Sequence, residues 1–95
     1  VEDNRELITT ELDRITRRLT GINLTRLLPV VPVVYACAQA ILDLTPGSYP
    51  PLPAVGAPAA SAQLSVIVRD YLAQPSADND GAVAGLLTQL RRDLP

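Results

Sequence analysis

The chain has 95 residues, a formal charge of −2 and a pI near 4.8. That length makes one domain, able to bury about 60–65% of its unfolded surface without staples. Eight arginines supply every positive charge against ten acids, and the pairs Arg17–Arg18 and Arg91–Arg92 sit among acids, which argues against a nucleic-acid partner.

The hydrophobic fraction of 47% is almost wholly Leu, Val, Ile and Ala, because Phe, Trp and Met are absent. The core must therefore be aliphatic, and flat-ring recognition is left to Tyr35, Tyr49 and Tyr71. With no histidine, Ser–His and Cys–His catalysis and imidazole metal sites are all excluded. A single cysteine excludes an internal disulfide. The first residue, Val1, is not an initiator methionine. We therefore expect a processed product or a piece of a longer protein, and no signal-peptide pattern begins the chain.

From about Asp3 to Leu19 the pattern predicts a helix. Leu7, Ile8, Leu12, Ile15 and Leu19 fall in one stripe at 100° per residue, which Ile22 extends. Asp3 and Glu6 have the spacing of a capping box. Arg14, Arg17 and Arg18 close the segment in the order that suits the helix dipole, Asp13 and Arg17 form an i,i+4 pair, and Gly21 is the expected C′ residue.

Asn23 is expected to cap a short turn, LTRLL, that Pro29 cuts off. The run from Leu27 to Leu44, LLPVVPVVYACAQAILDL, is apolar on every side apart from Gln39 and Asp43. A helix with no polar face belongs inside a core or a bilayer. We start this central helix near Pro32 and expect it to be the buried core, since Pro29 and Pro32 leave fewer than the roughly 20 clean residues a membrane span needs. Cys37, flanked by alanines, reads as a small buried apolar residue.

Residues 45–58, TPGSYPPLPAVGAP, hold five prolines and two glycines and cannot continue a helix, so they read as an extended crossover. Within it Tyr49, Pro50, Pro51, Leu52 and Pro53 are the candidate partner-binding residues. Their PPLP core resembles the short motif bound by one class of WW domain, and prolines pre-set a polyproline helix. A stiff loop uses the same residues. A further helix opens at Pro58 or Ser61 and reaches about Ala73, on Leu64, Val68, Tyr71 and Leu72 with Ile67 at the edge; a strand over LSVIV is the runner-up. The last helix runs from about Gly81 to Asp93 on Val83, Leu86, Leu87, Leu90 and Leu94, with Asp78, Asn79 and Asp80 as N-cap candidates.

Other patterns stop short of a site. Asp78, Asp80 and Gly81 match part of a calcium loop, but Ser76 and Leu87 occupy its first and twelfth ligand positions, so no metal is expected. Gly81 and Gly85 have a small-xxx-small spacing on the face opposite the leucine stripe. Asn23-Leu24-Thr25 meets a glycosylation sequon, which matters only in a eukaryotic secretory setting. Asp43 and Asp70 could in principle meet across the bundle as an acid pair, though no pattern in the sequence brings them together.

These readings give an all-α domain, a small bundle of four main helices with a proline-rich crossover. No enzyme activity and no cofactor are expected. The function expected is a non-catalytic protein-interaction module acting on a protein partner or on itself. A small carrier of apolar ligands, with an aliphatic cavity lined from Leu27 to Leu44, is one alternative. A membrane-associated helical segment is the other, and is disfavoured.

Overall fold

The computed structural model describes residues 4–47, 49–74 and 78–95. Among them the regular structure is all helix, in the order α1 (Asn4–Gly21), α2 (Leu24–Leu27), a 3-10 turn (Leu28–Val30), α3 (Val31–Leu44), α4 (Ala57–Leu72) and α5 (Asp80–Asp93). The main packing pairs are α1 with α5 and α3 with α4, closed by α3 on α5 and α1 on α4. The Cα extents, 38 × 33 × 16 Å, make the molecule flat. Its thickness matches two helix layers whose axes lie about 8–10 Å apart.

Each main helix buries one stripe. In α1 these residues are Ile8, Glu11, Leu12, Ile15 and Leu19, while Leu7 and Ile22 pack at the margin of the core. In α4 they are Ala57, Ala60, Leu64, Ile67, Val68 and Tyr71. In α5 they are Asp80, Val83, Ala84, Leu87 and Leu90. The LSVIV stretch is helical, so its alternation carried no strand; Ile67 and Val68 face the core and Val66 is exposed. Adjacent β-branched residues fit a helix when packing supplies what propensity does not.

The ends of the helices differ from expectation in instructive ways. Asn23 caps α2 as read, its Oδ1 accepting from the Arg26 N–H at 3.0 Å. Pro29 does not cut the chain but tightens it into the 3-10 turn, and Pro32 falls in the first turn of α3. Neither proline removes a needed donor, because the first N–H groups of a new helical segment have no partner within it. Gly21 ends α1 without a left-handed residue; Gly47, at φ 120°, is the one positive-φ position among the described residues. Asp3 lies outside those residues, so the capping box has no structural counterpart here.

At α5 the N-cap is Asn79, yet its side chain makes no cap bond to its own helix. Its Nδ2 donates instead to the Leu44 carbonyl at 2.9 Å. A C-terminal carbonyl of α3 is thus satisfied by the residue that starts α5. Thr45, buried beside it, donates from Oγ1 to the Ile41 carbonyl at 2.9 Å.

The central run departs most from its reading. In α3, Val34, Cys37, Ala38, Ile41 and Leu42 are buried at i, i+3, i+4, i+7 and i+8. The opposite face is in solvent: Leu24 is 58% exposed, Leu28 56% and Val33 40%, and Pro29, Pro32 and Ala36 are exposed beside them. Only 28% of the most apolar stretch of Leu24–Leu44 is buried. The expectation of an all-round buried core helix is therefore corrected. Two helix layers give α3 neighbours on one side, α4 and α5, and leave its other side uncovered.

Candidate functional site

The uncovered side of α2, the 3-10 turn and α3 is the first candidate. It forms because Pro29 and Pro32 fall at the starts of the 3-10 turn and α3, where they do not interrupt the helical run, and offer no polar side chain, so Leu24, Leu28, Pro29, Pro32, Val33 and Ala36 line an apolar surface. The segment is long and apolar enough to cross a membrane by length and composition. At its start the surface runs on to the end of α5 through an open cavity of about 420 Å³ lined by Thr25, Arg26, Pro29, Val30, Asp93 and Pro95. Monomeric surfaces rarely leave large apolar residues contiguous unless something covers them.

The proline-rich candidate residues are held by the fold. The Leu52 N–H donates to Gln39 Oε1 at 2.9 Å and its carbonyl accepts from the Tyr35 hydroxyl at 2.5 Å. Gln63 Nε2 donates to the Pro53 carbonyl at 2.9 Å. The Leu52 side chain packs against the core. Tyr49 is half-exposed, donates to the Pro46 carbonyl at 3.1 Å, and lies over Gly47, where a Cβ would stand 3.1 Å from its ring. Pro50, Pro51 and Pro53 are exposed. An aromatic groove that reads a polyproline helix takes backbone carbonyls as well as rings; here two of those carbonyls already have partners.

Two buried polar clusters escaped the sequence reading. Glu11, 2% exposed, accepts from Arg14 Nη1 at 3.1 Å and from Arg91 Nε at 2.5 Å. Around it Arg14, Arg17, Arg18 and Arg91 line an open cavity of about 460 Å³. Arg17 also reaches Asp13 at 3.2 Å, the i,i+4 pair expected. The second cluster joins three helices. The Tyr71 hydroxyl donates to Asp80 Oδ1, and Arg5 Nε lies 3.3 Å from Asp80 Oδ2. Arg5 also donates to the Leu72 and Gln74 carbonyls at 3.3 and 2.9 Å, with its guanidinium 5.9 Å from the centre of the Tyr71 ring. Burial and the neighbouring Asp80 carboxylate push the Tyr71 hydroxyl up to about 12. The signal for both clusters was present: Glu11 and Asp80 stand at stripe positions of α1 and α5, three residues from Ile8 and Val83.

The chemical candidates resolve into structural roles. Asp80 is committed to Tyr71 and Arg5, Leu87 is fully buried, and Ser76 lies outside the described residues, so the partial calcium pattern describes a helix start. Asp43 accepts from Gln39 on its own helix at 2.9 Å, and both Asp43 and Asp70 are exposed. Cys37, 8% exposed, has its thiol pushed up to about 11 by burial, and its Sγ–H points at the Leu86 carbonyl at 3.8 Å. A thiol so placed is protonated and inert at neutral pH. The cavity nearest to the carrier expectation, about 320 Å³, opens between Leu19, Ile22, Leu24, Leu27, Ala57 and Pro58. It takes only Leu27 from the Leu27–Leu44 lining expected.

No family model, curated protein or solved structure matches the chain.

Proposed function

We propose that the chain is a non-catalytic interaction module that pairs with a second copy of itself through the uncovered face of α2, the 3-10 turn and α3. The observation that carries this reading is the run of exposed Leu24, Leu28 and Val33 flanked by exposed Pro29, Pro32 and Ala36. An apolar face gains about 25 cal/mol for each Å² removed from water. A two-fold pairing sets each surface against its own copy, so a face with several like charges would bring them together across the interface. From Leu24 to Ala36 only Arg26 carries a charge, which makes the face self-compatible. The chain as a whole carries a net charge of −2 and the face a single cation, Arg26, too little to hold it on an anionic bilayer, so a protein surface is favoured over a membrane.

Sedimentation across micromolar to millimolar protein tests this. The mass should rise from one chain to two, and the exposed substitutions Leu28→Ser with Val33→Ser should hold the protein as a folded monomer. A single-chain mass throughout the range removes self-pairing, and flotation with neutral vesicles would transfer the face to the membrane reading.

A further inference from the structure

From the arginine-lined cavity where α1 and α5 end, we infer a second site, independent of the apolar face, that binds a small phosphate-type oxyanion. The chain is acidic overall, yet four of its eight arginines, Arg14, Arg17, Arg18 and Arg91, converge on one open cavity of about 460 Å³. The contacts at 5–80 and 11–91 show that α1 and α5 run in the same direction, so their C-terminal turns lie together.

A purely structural account gives these arginines two duties. They neutralise Glu11, and they face two helix ends that carry about half a negative charge each. That account falls short in charge and in geometry. Glu11 and Asp13 are the carboxylates paired to the cluster, which leaves four guanidiniums against two carboxylates. Subtracting the two helix ends still leaves about one positive charge at the mouth.

Geometry supplies the rest. Glu11 is buried and fixed, and it holds Arg91 by Nε and Arg14 by Nη1. Arg91 therefore keeps both terminal nitrogens for another acceptor, and Arg14 keeps Nε and Nη2. Arg18 makes no ion pair among the described residues. Planar guanidinium forks match the paired oxygens of a phosphate, and an anchored fork loses less freedom on binding than a free one. The several free fork edges suit the many oxygens of a phosphate-type oxyanion better than the two of a carboxylate. Four arginines on one cavity are too few and too local to follow a nucleic-acid backbone.

Titration calorimetry and thermal unfolding with inorganic phosphate and pyrophosphate, against sodium chloride at matched ionic strength, test the site. Pyrophosphate should bind saturably and raise the melting temperature more than phosphate, while chloride should not. Arg18→Gln and Arg17→Gln change exposed side chains outside the Glu11 anchor. Arg18→Gln should leave the ligand-free melting temperature nearly in place, Arg17→Gln should lower it only slightly through its exposed pair with Asp13, and each should weaken pyrophosphate binding by roughly five- to tenfold. Equal shifts with chloride, no saturation, or unchanged affinity in the Arg17→Gln/Arg18→Gln double variant would each overturn the assignment.

Discussion

Glu11 and Asp80 stand in apolar stripes where a leucine would do more for stability, and each is made tolerable by arginine. Burying a carboxylate costs several kcal/mol unless charge and hydrogen bonds answer it. Removing one partner is therefore worse than never having had the pair. Arg91→Ala leaves Glu11 with Arg14 alone, and should cost about 2 kcal/mol in urea unfolding, below the usual range for a buried pair because Arg91 is partly exposed. Glu11→Gln keeps an acceptor and removes the buried charge, so it should cost less than Arg91→Ala. Equal losses would mean that the stem of Arg91, not its charge, carries the effect. Cys37 gives a pH test. Its folded pKa is raised from 9.0 to about 11, so the unfolded chain releases its proton first. The contribution is whole below pH 9 and is lost as pH rises toward 11. The loss should reach the order of 2–3 kcal/mol. Tyr71, raised toward 12, acts in the same direction at higher pH. Unfolding at stepped pH should show the decline starting above 9, with its lower limb flattened in Cys37→Ala.

At the scale of elements, the helices were legible because their apolar residues recur at 3.6-residue spacing, and α1, α4 and α5 bury nearly the residues that the pattern selects. What escaped was how helix ends meet one another. Asn79 has the composition of a cap, but its partner is a carbonyl of α3, and no spacing within α5 encodes that. Arg5 similarly closes the last carbonyl of α4, at Leu72, and that of Gln74 just beyond it, from the start of α1. Such bonds join residues 35 and 67 apart in sequence, beyond the reach of a local pattern. Glycines separate the two kinds of information. Gly85 has open space where a Cβ would go and lies on the exposed side of α5. Gly85→Ala should stabilise the chain by about 1 kcal/mol, through helix propensity and a less flexible unfolded state. Gly47→Ala should destabilise by about 1–2 kcal/mol, because its φ of 120° is strained for any side chain and its Cβ would crowd Tyr49. Opposite signs in paired denaturation curves check both. A destabilising Gly85→Ala would mean that another backbone approaches α5 there.

For the whole molecule, the question is what the apolarity of Leu24–Leu44 is for. Composition alone placed the segment inside something and could not say which side would be covered, because an apolar residue looks the same whether it faces a core or an empty flank. The fold answers for part of it. Val34, Cys37, Ala38, Ile41 and Leu42 pack into the shared core, and the face with Leu24, Leu28 and Val33 is left in water. Insertion of the segment across a bilayer would have to pull that buried stripe away from α4 and α5, exposing the stripes of both. Each large aliphatic residue uncovered costs about 1.5–3 kcal/mol, and Asp43 would approach the hydrocarbon, where a charge costs about 2.5–3.5 kcal/mol or more. Pairing of the outer face with a second copy asks for none of this. Cys37 reports the difference, since it leaves its place beside Leu86 only if α3 leaves the bundle. In the native protein it should react with a thiol reagent far more slowly than in denaturant, and neutral phosphatidylcholine vesicles should not change that rate or draw the protein from the supernatant. Fast labelling without denaturant would undo the packing of α3 on α5. Vesicle binding with altered labelling of Cys37 would show that the segment trades its core contacts for lipid.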